Sequence, residues 1–200
     1  NTAIAPILSF ARMNFTWEDK VGALDFQDRY SREYIRAESI GLQSGNVPFC
    51  LWLISGPDKE KNAWADRTGT GVALTHEIKP NAGDSLFWTF LNAMLEFGYG
   101  APGTAVSQYW KDGHPARIEG TDAVTLVLSK PGSAMIVVSD WGDGGDARLL
   151  LDAKKLGFAG RKITATDVET GAGLAADPTA CAVRFALKKH DARLIRVDAE

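Results

Sequence analysis

The stretch VTLVLSKPGSAMIVVSD, residues 124–140, decides how this sequence folds. Two runs of aliphatic and β-branched residues flank Lys130-Pro131-Gly132, whose proline and glycine favour a tight turn. A second turn signal, Asp143-Gly144-Gly145-Asp146, follows at once. Further short strands are predicted near residues 148–151, 163–166, 182–187 and 193–197. Residues 113–200 are therefore predicted to form an antiparallel β-sandwich.

Alternation along these strands predicts which side chains fill the sandwich, since successive residues of a strand point to opposite faces. The residues predicted to point inward are Leu126, Val137, Leu149, Val183 and Phe185.

Residues 1–112 follow a different pattern, in which apolar strands alternate with helices. Strands are predicted at 5–11 and 47–54, and helices at 25–40 and 85–97. The segment 72–78 fits either a strand or the start of a helical turn. Parallel strands are seldom left uncovered. A sheet with such a small number of strands is therefore expected to need further partners.

The fold class predicted from this order is α/β followed by all-β. Residues 1–112 would be the terminal strand-helix units of a (β/α)8 barrel, and 113–200 a C-terminal antiparallel β-sandwich. The remainder of the barrel would then come from an upstream sequence or from another chain. The alternative is a small α/β layer that is complete in itself and packs on the sandwich.

Composition excludes several classes of partner for the 200 residues. A net charge of −3 without a basic stripe argues against nucleic acid, and no apolar run of about 18 residues predicts a membrane span. Cys50 and Cys181 lie too far apart in sequence for a zinc motif and are interpreted as buried thiols. The sequence predicts no metal site and no cofactor.

The dipeptide His76-Glu77 is the strongest candidate for catalysis. It follows an apolar run, and the carboxyl end of a strand would place it at the mouth of an α/β domain. Glycoside cleavage uses a pair of carboxylates, of which Glu77 would supply one, while His76 would orient it or bind a sugar hydroxyl. The structural alternative is a capping glutamate beside a surface histidine.

Five residues of the predicted loops are candidates for carbohydrate binding. Arg12, Asn14 and Trp17 follow the first predicted strand, and Asp58 and Trp64 follow the second. If the two strands are parallel, their loops share one face of the domain. A guanidinium, an amide and indole rings match the hydroxyl groups and apolar faces of a sugar. Solvated or packing residues would give the same pattern.

Several motifs of the second half resemble the junction and C-terminal sandwich of barrel-type glycoside hydrolases, including the N-acetylgalactosaminidase and α-galactosidase groups. The resemblance covers residues 97–198, and its motifs are Phe97-Gly98, Tyr109-Trp110, residues 130–141, Leu156-Gly157, residues 166–171 and residues 192–197. It implies a carbohydrate partner and hydrolysis of a glycosidic bond. No catalytic motif of these families is matched, so the main catalytic carboxylates are expected outside this chain.

Two non-enzymatic functions remain as alternatives. A carbohydrate-binding module would carry an exposed tryptophan on the sandwich, with Trp141 as the candidate. A structural module would instead use apolar surface on residues 1–112 to assemble with another chain.

Overall fold

The computed structural model describes residues 13–17, 26–39, 47–51, 57–81 and 86–200. The chain divides into two compact units, Asn1–Phe87 and Trp88–Glu200. The sequence pattern puts the boundary between residues 112 and 113, but the first antiparallel strand already begins at Ala105. None of the described helices is both long enough and apolar enough to cross a bilayer.

The described part of the first unit alternates short strands and helices. In chain order these elements are β1 (Met13–Trp17), α1 (Phe26–Arg29), α2 (Arg32–Glu38), β2 (Val47–Leu51), α3 (Lys59–Thr75) and β3 (Lys79–Asn81), with α4 (Leu86–Phe97) following. The single helix predicted over 25–40 is two short helices, because the Ser31 side chain accepts a hydrogen bond from the Tyr34 amide and starts a new helix.

The three strands of this unit form a parallel sheet in the order β1-β2-β3. Met13 lies opposite Val47 and Phe49 lies opposite Lys79, so each strand pairs with the next in the chain. Strand β1, at residues 13–17, lies where the sequence pattern predicted a loop. The strand predicted at 5–11 lies outside the described residues.

Helix α3 corrects the prediction for residues 58–78. Seventeen residues are helical where a polar loop or short helix and then a possible strand were predicted. Every residue from Thr68 to Thr75 is buried, and the Thr75 hydroxyl donates to the Gly71 carbonyl at 2.7 Å. Packing thus overrides the low helix propensity of the Thr-Gly-Thr-Gly segment.

The second unit contains nine strands and one further helix. They are β4 (Ala105–Gln108), β5 (Ala116–Glu119), β6 (Ala123–Lys130), β7 (Ser133–Asp140), β8 (Gly144–Leu151), α5 (Ala153–Leu156), β9 (Ile163–Asp167), β10 (Ala175–Asp177), β11 (Ala182–Lys188) and β12 (Ala192–Ala199). The six strands predicted from sequence are present, and β4, β5 and β10 add to them.

These strands form two antiparallel sheets. One has five strands in the order β4-β6-β7-β12-β9, and the other has four in the order β10-β11-β8-β5. The hairpin of β6 and β7 is in register from Ala123–Asp140 to Lys130–Ser133, and Gly132 turns it with a positive φ of 79°. The predicted antiparallel sandwich is therefore what the chain forms.

The core between the two sheets corrects part of the prediction of which side chains point inward. Leu149 and Val183 belong to it and Phe185 packs against it, as predicted. On the five-stranded sheet, however, Val127 and Ile136 line this core, so Leu126 and Val137 point to the opposite face. They are still fully buried, because that face of the sheet is also covered.

Both cysteines are buried and free, as predicted. Burial raises the pKa of the Cys50 thiol to about 12, which keeps it protonated at neutral pH.

Candidate functional site

The carboxyl-terminal edge of the parallel sheet is the candidate site of the first unit. β1 ends at Trp17, opposite Cys50, and β3 ends at Asn81, opposite Leu51. Because the strands are parallel, all three end at one edge. Ligands of α/β folds bind at this edge, where the loops after the strands converge.

Asp58 begins the helix that follows β2, and so lies toward the same edge. Its Oδ1 accepts a hydrogen bond from the Lys61 amide at 3.1 Å, and its Oδ2 lies 3.6 Å from Lys61 Nζ. The amide hydrogen bond from Lys61 is the main cause that lowers the pKa of Asp58. The carboxylate is half exposed and ionised, which suits it to accept hydrogen bonds from hydroxyl groups.

The other predicted carbohydrate contacts differ in placement. Trp64 lies within α3, not in a loop; it is half-buried, and Arg67 Cζ lies 6.0 Å from its ring centre. Asn14 occupies the second position of β1, opposite Pro48. Arg12 lies outside the described residues. The backbone thus brings Trp17 and Asp58 toward one edge and places Asn14 further back along the strand.

His76 and Glu77 lie at the opposite end of the sheet from this edge. His76 ends α3, and β3 starts at Lys79. The pair therefore precedes a strand, whereas the prediction placed it after the end of a strand. The catalytic prediction relied on the strand alternative for residues 72–78, and this segment contains the end of a helix instead. Polar residues at the amino-terminal ends of such strands usually serve stability.

The His76 side chain is fully buried, and its Nδ1 contacts the end of its own helix. Its Nδ1 lies 2.8 Å from the Val72 carbonyl oxygen and 3.2 Å from Thr75 Oγ1. Burial lowers its pKa to about 4, against which the hydrogen bond to Val72 works. Glu77 adopts a positive φ of 56°, the left-handed conformation that ends a helix. The catalytic role of the pair stays untested, without support from this placement.

Asp66 was missed from the sequence. Its Oδ2 accepts the Leu86 amide at 2.8 Å, which satisfies a free donor at the start of α4. Burial raises the pKa of Asp66, although this hydrogen bond opposes the shift. No local pattern announces the contact, because its two residues are twenty positions apart.

A partly buried chain of hydrogen-bonded side chains in the second unit was also missed. Ser107 Oγ lies 2.9 Å from His114 Nδ1, and His114 Nε2 lies 2.7 Å from Thr125 Oγ1. Burial, with the Lys155 charge second, lowers the pKa of His114 to about 4. Hydroxyl groups occupy both ring nitrogens, so the imidazole lacks the carboxylate partner of a serine-hydrolase triad. This chain of side chains connects β4 to β6 through a neutral histidine.

The turn between β7 and β8 is held by backbone contacts. Asp140 Oδ2 accepts the amides of Gly144 and His190 at 3.1 and 3.2 Å, while Asp143 is exposed and lies 3.6 Å from Lys189 Nζ. Across the described residues, no three His, Cys, Asp or Glu side chains are grouped so that they would hold a metal ion.

Comparison with known proteins gives structural neighbours only. No protein-family model matches the chain. No curated protein sequence matches it either. A maltogenic α-amylase, AmyB from Thermotoga neapolitana, superposes with a TM-score of 0.45 and 8% identity, over 86% of this chain and 47% of its own.

Two further structures match at a similar level. AmyP, solved with maltotriose, gives a TM-score of 0.42 at 10% identity, over 86% of this chain and 49% of its own. An Anoxybacillus α-amylase gives 0.39 at 9% identity, over 94% of this chain and 38% of its own.

The likeness to these structures is low. Two of them are α-amylases and the third was solved with maltotriose, and none of the three is named as an N-acetylgalactosaminidase or an α-galactosidase. The chain shares at most 10% identity with any of the three. It spans half or less of the length of each, and TM-scores below 0.5 do not establish a shared fold.

Proposed function

We propose that this chain is the C-terminal portion of a glycoside-hydrolase-like protein that acts on carbohydrate. The observation that carries the proposal is the order of its elements. Three parallel strands are adjacent in chain order and joined by helices, and an antiparallel sandwich follows them. Terminal barrel units before a β-domain have this order.

The edges of the parallel sheet support a continuation of the barrel. Within the described residues, β1 and β3 each pair with a strand on one side only. Parallel sheets are normally covered on both faces, and unpaired backbone groups at an exposed edge invite further strands. The remainder of the barrel would supply those strands, from an upstream sequence or another chain.

The proposed chemistry divides between this chain and the remainder. Hydrolysis of a glycosidic bond needs two carboxylates, one of which protonates the leaving oxygen. We place both outside this chain. The loops at the carboxyl edge would bind the sugar through Asp58, Trp17 and their neighbours, with Arg12, Asn14 and Trp64 as the further candidates.

Activity assays test this division. The 200-residue chain and the native polypeptide that contains it are incubated with aryl α- and β-glycosides of glucose and galactose. We expect hydrolysis by the native polypeptide and none by the chain alone. Hydrolysis by the isolated chain would contradict the placement of the carboxylates.

A pair of helix-capping aspartates gives a matched test of sugar binding. Asp58→Ser keeps a side chain that caps α3 but removes the carboxylate. Asp152→Ser is the control, since Asp152 Oδ1 caps α5 by accepting the Lys154 and Lys155 amides. Titration with oligosaccharides should show weaker binding for Asp58→Ser only. Equal affinity of the two variants and the unchanged chain would refute a contact from Asp58.

A non-catalytic carbohydrate-binding or assembly module is the alternative. Trp141 is half-buried in the turn after β7, where one ring face would meet a sugar. On α4, Trp88 and Leu95 are 44% and 51% exposed, which would suit assembly. Loss of sugar binding in Trp141→Ala, with Trp17→Ala unchanged, would favour the binding module. Self-association that Leu95→Ser removes would favour assembly.

A further inference from the structure

The outer face of the four-stranded sheet carries an unbalanced row of charges. Arg184 on β11 lies directly opposite Arg148 on β8, and Arg148 in turn lies opposite Glu119 on β5. Side chains directly opposite on one face are close neighbours, and like charges in that position destabilise a sheet. The row therefore contains a repulsive pair that something else must offset.

The carboxylates of this face do not balance it. Glu119 Oε2 lies 3.3 Å from Arg148 Nη1, and Glu119 Oε1 lies 2.7 Å from Arg117 Nη2, so one carboxylate serves two guanidinium groups. Arg184 is exposed and forms no ion pair with any residue that the structure describes. The third guanidinium is thus left without a paired carboxylate among the described residues, although Asp146 lies on the same face.

A depression of about 320 Å³ lies between the two arginines. It is lined by Asp146, Ala147, Arg148, Arg184, Phe185 and Ala186. The Nε of Arg148 is shielded from solvent and has no hydrogen-bond acceptor among the described residues. A buried donor without an acceptor is costly, and a bound acceptor would remove the cost.

We propose that this depression binds the oxyanion group, a carboxylate or a phosphate, of a small ligand of monosaccharide size. The planar fork of a guanidinium matches the two oxygens of such a group, and two forks facing one depression would share it. Asp146 at the rim weakens the positive potential and sets a limit on affinity. The proposal stands whether or not the chain belongs to a glycoside hydrolase.

Calorimetric titration of the 200-residue chain at low salt tests it, with inorganic phosphate, glucuronate and glucose as probes. We expect binding of phosphate or glucuronate and none of glucose. Binding should weaken as salt is added, because the contact is ionic. Phosphate alone would identify a site for phosphate groups, and glucuronate alone a site for saccharide carboxylates.

Three substitutions separate the site from general charge effects. Arg184→Ala should weaken binding about tenfold, the loss expected for one charge-assisted contact. Asp146→Asn should strengthen binding, because it removes the opposing charge. Lys162→Ala is the control: it removes an exposed cation ahead of β9 in the other sheet, paired with Glu200 at 3.7 Å, and should leave binding unchanged.

Three results would overturn the proposal: no binding of either anion, equal binding of glucose, or equal losses in Arg184→Ala and Lys162→Ala. If Arg184→Ala failed to fold, Asp146→Asn would still decide, since unchanged or weaker anion binding by it would contradict the site.

Discussion

The two sheets of the sandwich bury their residues differently. In the five-stranded sheet, seven of the eight residues of β7 are buried, which leaves no polar face. In the four-stranded sheet, β8 buries only Ala147, Leu149 and Leu151, the alternate positions that face the core. The β6–β7 part of the five-stranded sheet is therefore buried on both faces, whereas β8 is buried on a single face.

This difference indicates which sheet forms an inner layer and which has a face in contact with solvent. A strand that is apolar at successive positions belongs to an inner layer, whereas clean alternation marks a layer with one solvated face. The outer face of the five-stranded sheet holds Leu126, Leu128 and Val137 at 0% exposure. At its margin, Lys130 Nζ lies 4.9 Å from the centre of the Phe97 ring at the end of α4.

Truncating one leucine on each outer face should break this comparison most strongly. Leu128→Ala opens a cavity in a fully buried face and should lower the free energy of unfolding by about 2–5 kcal/mol. Leu150→Ala makes the same change on the half-exposed face of the four-stranded sheet and should cost about 1 kcal/mol or less. Urea unfolding of both variants measures the difference; equal losses would show that the two outer faces are alike.

A glycine substitution tests how the four-stranded sheet is held. Gly144 opposes Lys188 with a φ of 77°, and a Cβ there would overlap the carbonyl oxygen of Leu187. Gly171 has a similar φ of 70° but open space around it. Gly144→Ala should therefore cost about 2 kcal/mol more than Gly171→Ala in urea unfolding, since only the first adds a steric clash to the backbone strain. Similar losses would mean that the backbone at Gly144 gives way freely.

Acidification should act on the polar chain that ties β4 to β6. The pKa of His114 falls from 6.5 to about 4 on folding, so the unfolded chain binds more protons between these values. The free energy of unfolding should decrease as pH falls from 6.5 to 4, and His114→Asn should show a shallower decrease. Subtracting the two pH profiles removes the contribution of groups common to both, and identical profiles would contradict the low pKa.

Much of the second unit could be predicted from its sequence, because turn residues and strand lengths are local signals. The sequence could not predict which side chains of β7 point into the core, since its central residues are apolar at successive positions. Val137 was predicted to point inward, and Ile136 fills the core instead. Helix α3 was not predicted as one continuous helix because its second half is stabilised by burial, not by propensity. β1 was missed because Asn14 and Thr16 made it read as polar.

The choice between helix and strand also decided what could be predicted of the candidate site. The strands that carry Trp17 and precede Asp58 are parallel, which is the condition on which the predicted convergence of their loops depended, but Trp17 lies in a strand where a loop was predicted. His76 and Glu77 were expected at that edge only if residues 72–78 formed a strand, and residues 72–75 are the end of a helix instead. In a βα unit, this exchange moves a residue from one end of the sheet to the other.

The smallest expected effect concerns the charges of the outer sheet face. Glu119→Gln removes the carboxylate that Arg117 and Arg148 share, and should lower the free energy of unfolding by less than about 1 kcal/mol, because all three side chains are partly exposed. The loss should shrink at high salt. Glu200→Gln, which breaks the exposed pair with Lys162, is the matched control. Only Glu119→Gln should also strengthen phosphate binding, since it frees Arg148 for the anion. Tighter binding in both variants would trace the effect to net charge, and a large loss of stability would mean that Glu119 holds the sheet together.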